Sequence, residues 1–180
     1  MTESMSEPGH HILSVLVENK FGVLSRVSGL FSRRGYNIYS LAVSPTEDPR
    51  YSRMTIVFDG ETTPIEQVTK QLNKLIPVIK ITELHTSEAV QRELMLVTLR
   101  AGKEERSHVT ELASIFEAKI LDVGYEAMTL MVAGAPDKLE AMTDLLQPFG
   151  ILELQRTGRI ALAKLSREPS KLRVVKNKSA

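Results

Sequence analysis

The sequence contains no cysteine and no tryptophan. Without cysteine, disulfides, thiolate nucleophiles and cysteine-ligated metals are excluded, and a reducing compartment, the cytoplasm, fits. An excess of either charge is missing too: 23 basic residues oppose 22 acidic ones, for a net charge of +1. Wholesale attraction to nucleic acid or to an anionic membrane therefore has no source. No apolar run approaches the roughly 18 residues of a membrane span. The opening MTESMSEPG is acidic and polar, unlike a targeting segment, and reads with His10 as a flexible N-terminus, 1–10.

What is present is an ordinary globular composition, 42% apolar over 180 residues, enough for one large or two small domains. HILSVLVE (11–18) alternates and is rich in β-branched and aliphatic residues, which predicts a strand. From Val23 to Arg34 the period becomes helical, with Val23, Val27, Leu30 and Phe31 on one face. Gly35 suits the position after that helix, and Arg33 and Arg34 suit its dipole. YNIYSLAV (36–43) and RMTIVFDG (53–60) predict two strands around the turn PTEDP. In TTPIE, Thr63 is expected as N-cap, Pro64 at the first helical position, and Glu66 closing a capping box. Ile65, Val68, Leu72 and Leu75 continue that helix to Pro77, and VIKITEL (78–84) is a fourth strand.

The order β-α-β-β-α-β over residues 11–85 is the ferredoxin-like, split βαβ arrangement. One antiparallel sheet carries two helices, and its other face must be covered or polar. The second half, 93–166, repeats the order. ELMLVTLRA (93–101), KILDVGYE (119–126) and AMTLMVAG (127–134) read as strands, and ILELQRTG and RIALAKL close the domain. HVTELASIFEA (108–118) reads as a helix with Val109, Leu112, Ile115 and Phe116 inward and Ser107 as its cap, and DKLEAMTDLLQ (137–147) as another. The fold class is thus α+β, two tandem ferredoxin-like domains, with a polar linker at 86–92 and a basic tail at 167–180 expected to be disordered.

Signs of catalysis are absent. His10, His11, His85 and His108 have no partner at metal-ligand spacing, and there is no H-E-x-x-H, G-x-S-x-G, Walker A loop or G-x-G-x-x-G. Glu47 and Asp48 read as a solvated turn, and Met128 and Met131 as strand residues. RNA-binding domains of this topology stack bases on aromatics of their central strands. HILSVLVE has none and RMTIVFDG only Phe58, which argues against RNA.

One loop stands out. Asn19-Lys20-Phe21-Gly22 runs from the first strand into the first helix. A helix start carries unpaired backbone N–H groups and a partial positive charge, worth about 0.3–1 kcal/mol to an exposed carboxylate and up to ~2 kcal/mol when partly buried. Glycine lets the backbone approach a ligand closely, and the Asn19 side chain can face an ammonium group or donate. A bare sheet face and edge are commonly covered by a second copy. Asn37, opening the second strand, can then reach the loop across a two-fold interface. The pattern suits a free amino acid, its side chain against Val23, Leu24 or Ile38. It equally suits Gly22 shaping a tight turn, with Asn19 as its turn residue.

Together ILSVLVEN, GVLSRVSGLFSRRGYNI, PTEDP and SRMTIV resemble the small regulatory subunits of acetolactate (acetohydroxyacid) synthase. The resemblance is dense from Ile12 to Leu84 and weaker to Arg159. It implies an ACT domain, an amino-acid-binding ferredoxin-like module, followed by an ACT-like one. It also implies a non-catalytic cytoplasmic chain that pairs through its ACT domains and activates a large catalytic subunit. That chain would confer feedback inhibition by valine or a related branched-chain amino acid. Effector contacts are then expected at Asn19, Gly22, Val23 and Leu24 of one chain and Asn37 and Ile38 of its neighbour, with Ser25 and Ser28 nearby. No cofactor or metal is expected on this chain. Thiamine diphosphate, Mg and FAD are expected on the catalytic subunit. RAGKEERS, in the second half, lacks an equivalent loop. The rival readings are a stand-alone amino-acid sensor acting on another enzyme, and an enzyme with a dispersed site.

Overall fold

The computed structural model describes residues 9–60 and 64–165. The expected cap Thr63, the N-terminal residues 1–8 and the basic tail lie outside them. The first domain runs β1 (His10–Glu18), α1 (Val23–Arg33), β2 (Ile38–Pro45), β3 (Tyr51–Asp59), α2 (Ile65–Leu72) and β4 (Val78–Glu83). Its sheet has the order β2-β3-β1-β4, and β1 pairs antiparallel with β3 from His10↔Asp59 to Glu18↔Tyr51. The period-2 pattern of β1 sends Leu13, Val15 and Val17 toward the helices. There they meet Val23, Val27, Leu30 and Phe31 of α1 and Val68 and Leu72 of α2 in one core.

The second domain runs β5 (Ala89–Arg100), α3 (Arg106–Ile115), β6 (Lys119–Val123), β7 (Ala127–Gly134), α4 (Pro136–Leu146), β8 (Ile151–Arg156) and β9 (Ile160–Ala163). Its order is β6-β7-β5-β8, with β9 also on β5. Met95, Val97, Leu99, Leu130, Leu139 and Met142 centre its core. The expected α+β class, two antiparallel sheets each backed by helices, is what the chain adopts.

Helix starts depart from expectation. Pro64 has φ −63° and ψ 118°, so it caps α2 in extended conformation and is not its first helical residue. Glu66 lies in the first turn, but no side-chain cap bond forms. The helix stops at Leu72, before Leu75 and well short of Pro77. In the second half, Glu105 occupies the N-cap and Ser107 lies within α3, its Oγ 3.5 Å from the carbonyl of Glu104. Ile115, expected inward, is the last residue of α3 and is exposed, while Val109 and Ala113 take the buried face.

The largest difference is at the seam. Residues 86–92 hold a 3-10 turn (Thr86–Glu88) and the first four residues of β5, which pair with β9 from Ala89↔Ala163 to Arg92↔Ile160. Along β5 every second residue is buried: Ala89, Gln91, Glu93, Met95, Val97 and Leu99. Ala89 and Ala161 pack with Leu84 on Ile12 and Val57 of the first sheet. The face opposite α1 and α2 is therefore covered in part by the same chain, where a second copy had been the expected cover.

Candidate functional site

Gly22 is the N-cap of α1, with φ +82° and ψ −4°. An L side chain is strained in this left-handed region, so the turn itself calls for glycine. The space beside it is nevertheless open, since a Cβ added there would meet nothing within 4 Å. Its carbonyl accepts from Arg26 at 3.0 Å, and the Val23 N–H reaches the Lys20 carbonyl at 3.3 Å. Among the described residues, the N–H groups of Gly22, Leu24 and Ser25 find no protein acceptor. No acidic residue sits in the first turn of α1 and no side chain caps it. The first turn itself thus supplies no counter-charge to the positive end of the dipole.

Asn19 is tied down. Its backbone N–H donates to the Arg50 carbonyl at 2.7 Å, and its Nδ2 donates to the Pro49 carbonyl at 2.9 Å. Both bonds tie it to the β2–β3 turn and not into the Gly22 turn, and Oδ1 is the atom left to face a ligand. The β2–β3 turn that anchors it is itself closed by Asp48 and Arg50, whose Nη2–Oδ2 distance is 2.5 Å. The hydrogen bonds from the Arg50 side chain, then from its N–H, hold the Asp48 carboxyl below the usual carboxylate range. The same pairing raises the Arg50 pKa. Val23 turns its side chain into the core, so only its backbone borders the mouth, whereas Leu24 is exposed. Ser28 Oγ donates back to the Ser25 carbonyl at 3.2 Å.

Asn37 and Ile38 lie elsewhere. Ile38 pairs with Phe58, which pairs with His11, near the start of β1. Asn19 follows the end of that strand. At about 3.3 Å per residue, the two groups are roughly 25–30 Å apart along the sheet. One chain does not bring the six expected residues together: Asn19, Gly22, Val23 and Leu24 meet at one end, and Asn37 and Ile38 sit at the other. Asn37 is exposed, and Ile38 packs against the first core.

Sequence reasoning passed over Phe21 and Ile76, both almost fully exposed. Phe21 is at the tip of the loop. Ile76 neighbours Pro77, whose carbonyl accepts from the Glu18 N–H at 2.8 Å, so both flank the same end of the sheet. A lone aromatic between Lys20 and Gly22 was the available signal. Together they leave apolar side chains uncovered at that rim.

The second domain closes the corresponding mouth. A Cβ on Gly102 would lie 2.9 Å from a Glu105 carboxylate oxygen and 3.4 Å from one of Glu126. Arg106 folds over the same loop, with Nε donating to the Ala101 carbonyl at 3.2 Å and Nη2 to that of Tyr125 at 2.6 Å. Glu105, Glu126 and Arg106 thus crowd this mouth, where the space beside Gly22 is open. Among the described residues no group of three or more His, Asp or Glu is placed to hold a metal, and no helix is long and apolar enough to cross a membrane.

A tandem of βαββαβ modules, the first with an open glycine-capped helix mouth, defines the class: a pair of ACT-type domains. Residues 13–80 match the family of ACT domains like those of the acetohydroxyacid synthase small subunit, and residues 92–165 match the small subunit of acetolactate synthase. The acetolactate synthase small subunit of Mycolicibacterium smegmatis is 51% identical over 154 residues, covering 86% of this chain and 91% of its own. That of Mycobacterium bovis is 52% identical over 157 residues, covering 87% and 94%. The crystal structure of the small subunit from Thermotoga maritima superposes with a TM-score of 0.81 at 38% identity, covering 87% of this chain and 98% of that one. The chain belongs to the acetolactate synthase small-subunit family, and as such is a regulatory and not a catalytic subunit.

Proposed function

We propose that this chain binds valine or a related branched-chain amino acid between the ACT domains of two copies. Through that site it sets the activity of an acetolactate synthase catalytic subunit. The observation that carries the reading is the mouth of α1. There a left-handed glycine, N–H groups of Leu24 and Ser25 without a protein acceptor among the described residues, and open space coincide with a first helical turn that holds no acidic residue. The effector carboxylate sits on these N–H groups, and Asn19 Oδ1 accepts from its ammonium. Its aliphatic side chain lies against Leu24 and the partner's Ile38. Asn19 and Asn37 are far apart within one chain, so in this reading Asn37 joins the site from a second copy, for which exposed Phe21 and Ile76 offer apolar surface.

Thiamine diphosphate, Mg and FAD belong in this reading to the catalytic subunit, and the assembly works in the cytoplasm. The family match favours it over a sensor for an unrelated enzyme.

Calorimetry with valine on the wild-type chain and on Gly22→Asp tests the site. The variant places a negative charge where the effector carboxylate lies and should abolish binding. Equal heats for both would defeat the assignment. Turnover of the cognate catalytic subunit, with and without this chain and valine, tests the role. Unaltered turnover in every mixture would defeat it.

A further inference from the structure

The seam between the domains touches the strand that carries Asn37 and Ile38. Ser40 follows Ile38 after a register shift in the β2–β3 pairing, so Tyr39 is looped out in a bulge. The Ser40 Oγ accepts the backbone N–H of Arg159 at 2.7 Å. Gly158 lies so close to β2 that an added Cβ would overlap the Leu41 carbonyl and come within 2.7 Å of the Ala42 nitrogen. The 158–159 loop therefore presses on β2 one strand position beyond the bulge.

The other end of this loop is fixed in the second domain. Arg159 Nε donates to Glu93 Oε1 at 2.9 Å and Nη1 lies 3.5 Å from Gln91 Oε1, with all three residues buried. Arg156, at the end of β8, binds the second Glu93 oxygen at 2.6 Å. Both oxygens of one buried carboxylate thus anchor the two arginines that bracket Gly158. By contrast, the apolar seam cluster lies under β1 and β3. Beside the joint is a cavity of about 320 Å³ lined by Tyr39, Ser40, Glu93, Arg156 and Gly158, and the Tyr39 ring lies 4.4 Å from that of His10.

We propose that the Gly158–Arg159 loop is the joint through which occupancy of the effector site reaches the second domain. The inference rests on the effector reading above. An effector on one copy's α1 mouth draws in the other copy's Asn37 and Ile38, and the continuous pairing of β2 on β3 carries that shift past Tyr39 to Ser40 and Leu41. Backbone packed against backbone at Gly158 does not absorb such a shift elastically. The loop moves with β2, and the Glu93 anchor carries the motion into β5 and β8. Ser40, Gly158 and Arg159 are positioning residues. None of them lies at the α1 mouth.

The test uses reciprocity: if valine disfavours the active complex, the catalytic subunit must weaken valine binding by the same factor, typically about 5–150-fold. Valine affinity is measured for the free chain and for the reconstituted complex, in wild type, Ser40→Ala and Gly158→Ala. The wild type should show a clear ratio between the two affinities. Both variants should bind valine within about threefold of wild type as free chains, with a ratio near one. Ser40→Ala removes only an acceptor and decides the matter alone if Gly158→Ala does not fold. A wild-type ratio retained in Ser40→Ala overturns the joint and leaves the effector site standing. A wild-type chain that takes up no valine overturns the effector reading and the joint with it.

Discussion

Glu93 and Arg159, 66 residues apart, meet at 2.9 Å on the second-domain side of the seam with each side chain more than nine-tenths buried. Removing one partner of a buried ion pair strands the other charge and costs about 3–5 kcal/mol. Glu93→Ala leaves Arg159 and the half-buried Arg156 without their common acceptor. It should lower the unfolding free energy by about that amount, read from urea denaturation. A loss under about 1 kcal/mol would mean that water replaces the carboxylate at no cost.

Gly22→Ala separates conformation from ligand binding. The new methyl meets nothing within 4 Å, but φ stays at +82°. The strain should cost about 1–2 kcal/mol of stability. Valine affinity should fall less than for Gly22→Asp, because no charge is introduced. Unfolding curves and calorimetry on the same sample check both.

Asn37→Ala should leave the isolated chain as stable as wild type within about 0.5 kcal/mol, since the residue is exposed. Valine affinity should nevertheless drop at least about tenfold, the loss of roughly one charge-assisted hydrogen bond. A variant that binds normally would show that the second copy closes the site without this side chain.

Asp48 gives a pH prediction. Its carboxyl pKa is depressed by Arg50, so the turn contact is fully present above the unfolded carboxylate pKa, near 3.9. It is lost as pH falls through the lower, folded value. An NMR titration should find the Asp48 midpoint below that of an ordinary aspartate. In Arg50→Ala it should return to the ordinary range.

Much of this was legible in the chain. Apolar periodicity placed the four α-helices and the strands β1 to β7 of the described residues, although β6 is exposed along its whole length. The open mouth at Gly22 was readable from a glycine before a helical pattern. The start of β5 was not readable. Its inward positions include Gln91 and Glu93, while outward Val90 is half exposed. A pattern search sees a polar linker there, since only the distant arginines of β8 and the following loop make those polar groups buriable. The caps of α2 and α3 were missed for a local reason: an extended Pro64 and a helical Glu105 took the position that Thr63 or Ser107 would otherwise hold. The spatial separation of Asn19 and Asn37 was implied by the strand order but needed the register to give it a length.

The single stiff strand β5 has a thermodynamic corollary. A fragment ending near residue 85 would lay Ile12 and Val57 open to solvent, and one starting near residue 93 would lack the segment on which β9 pairs. Heating should therefore melt the two halves in one calorimetric peak, as a tandem that cannot come apart by stages.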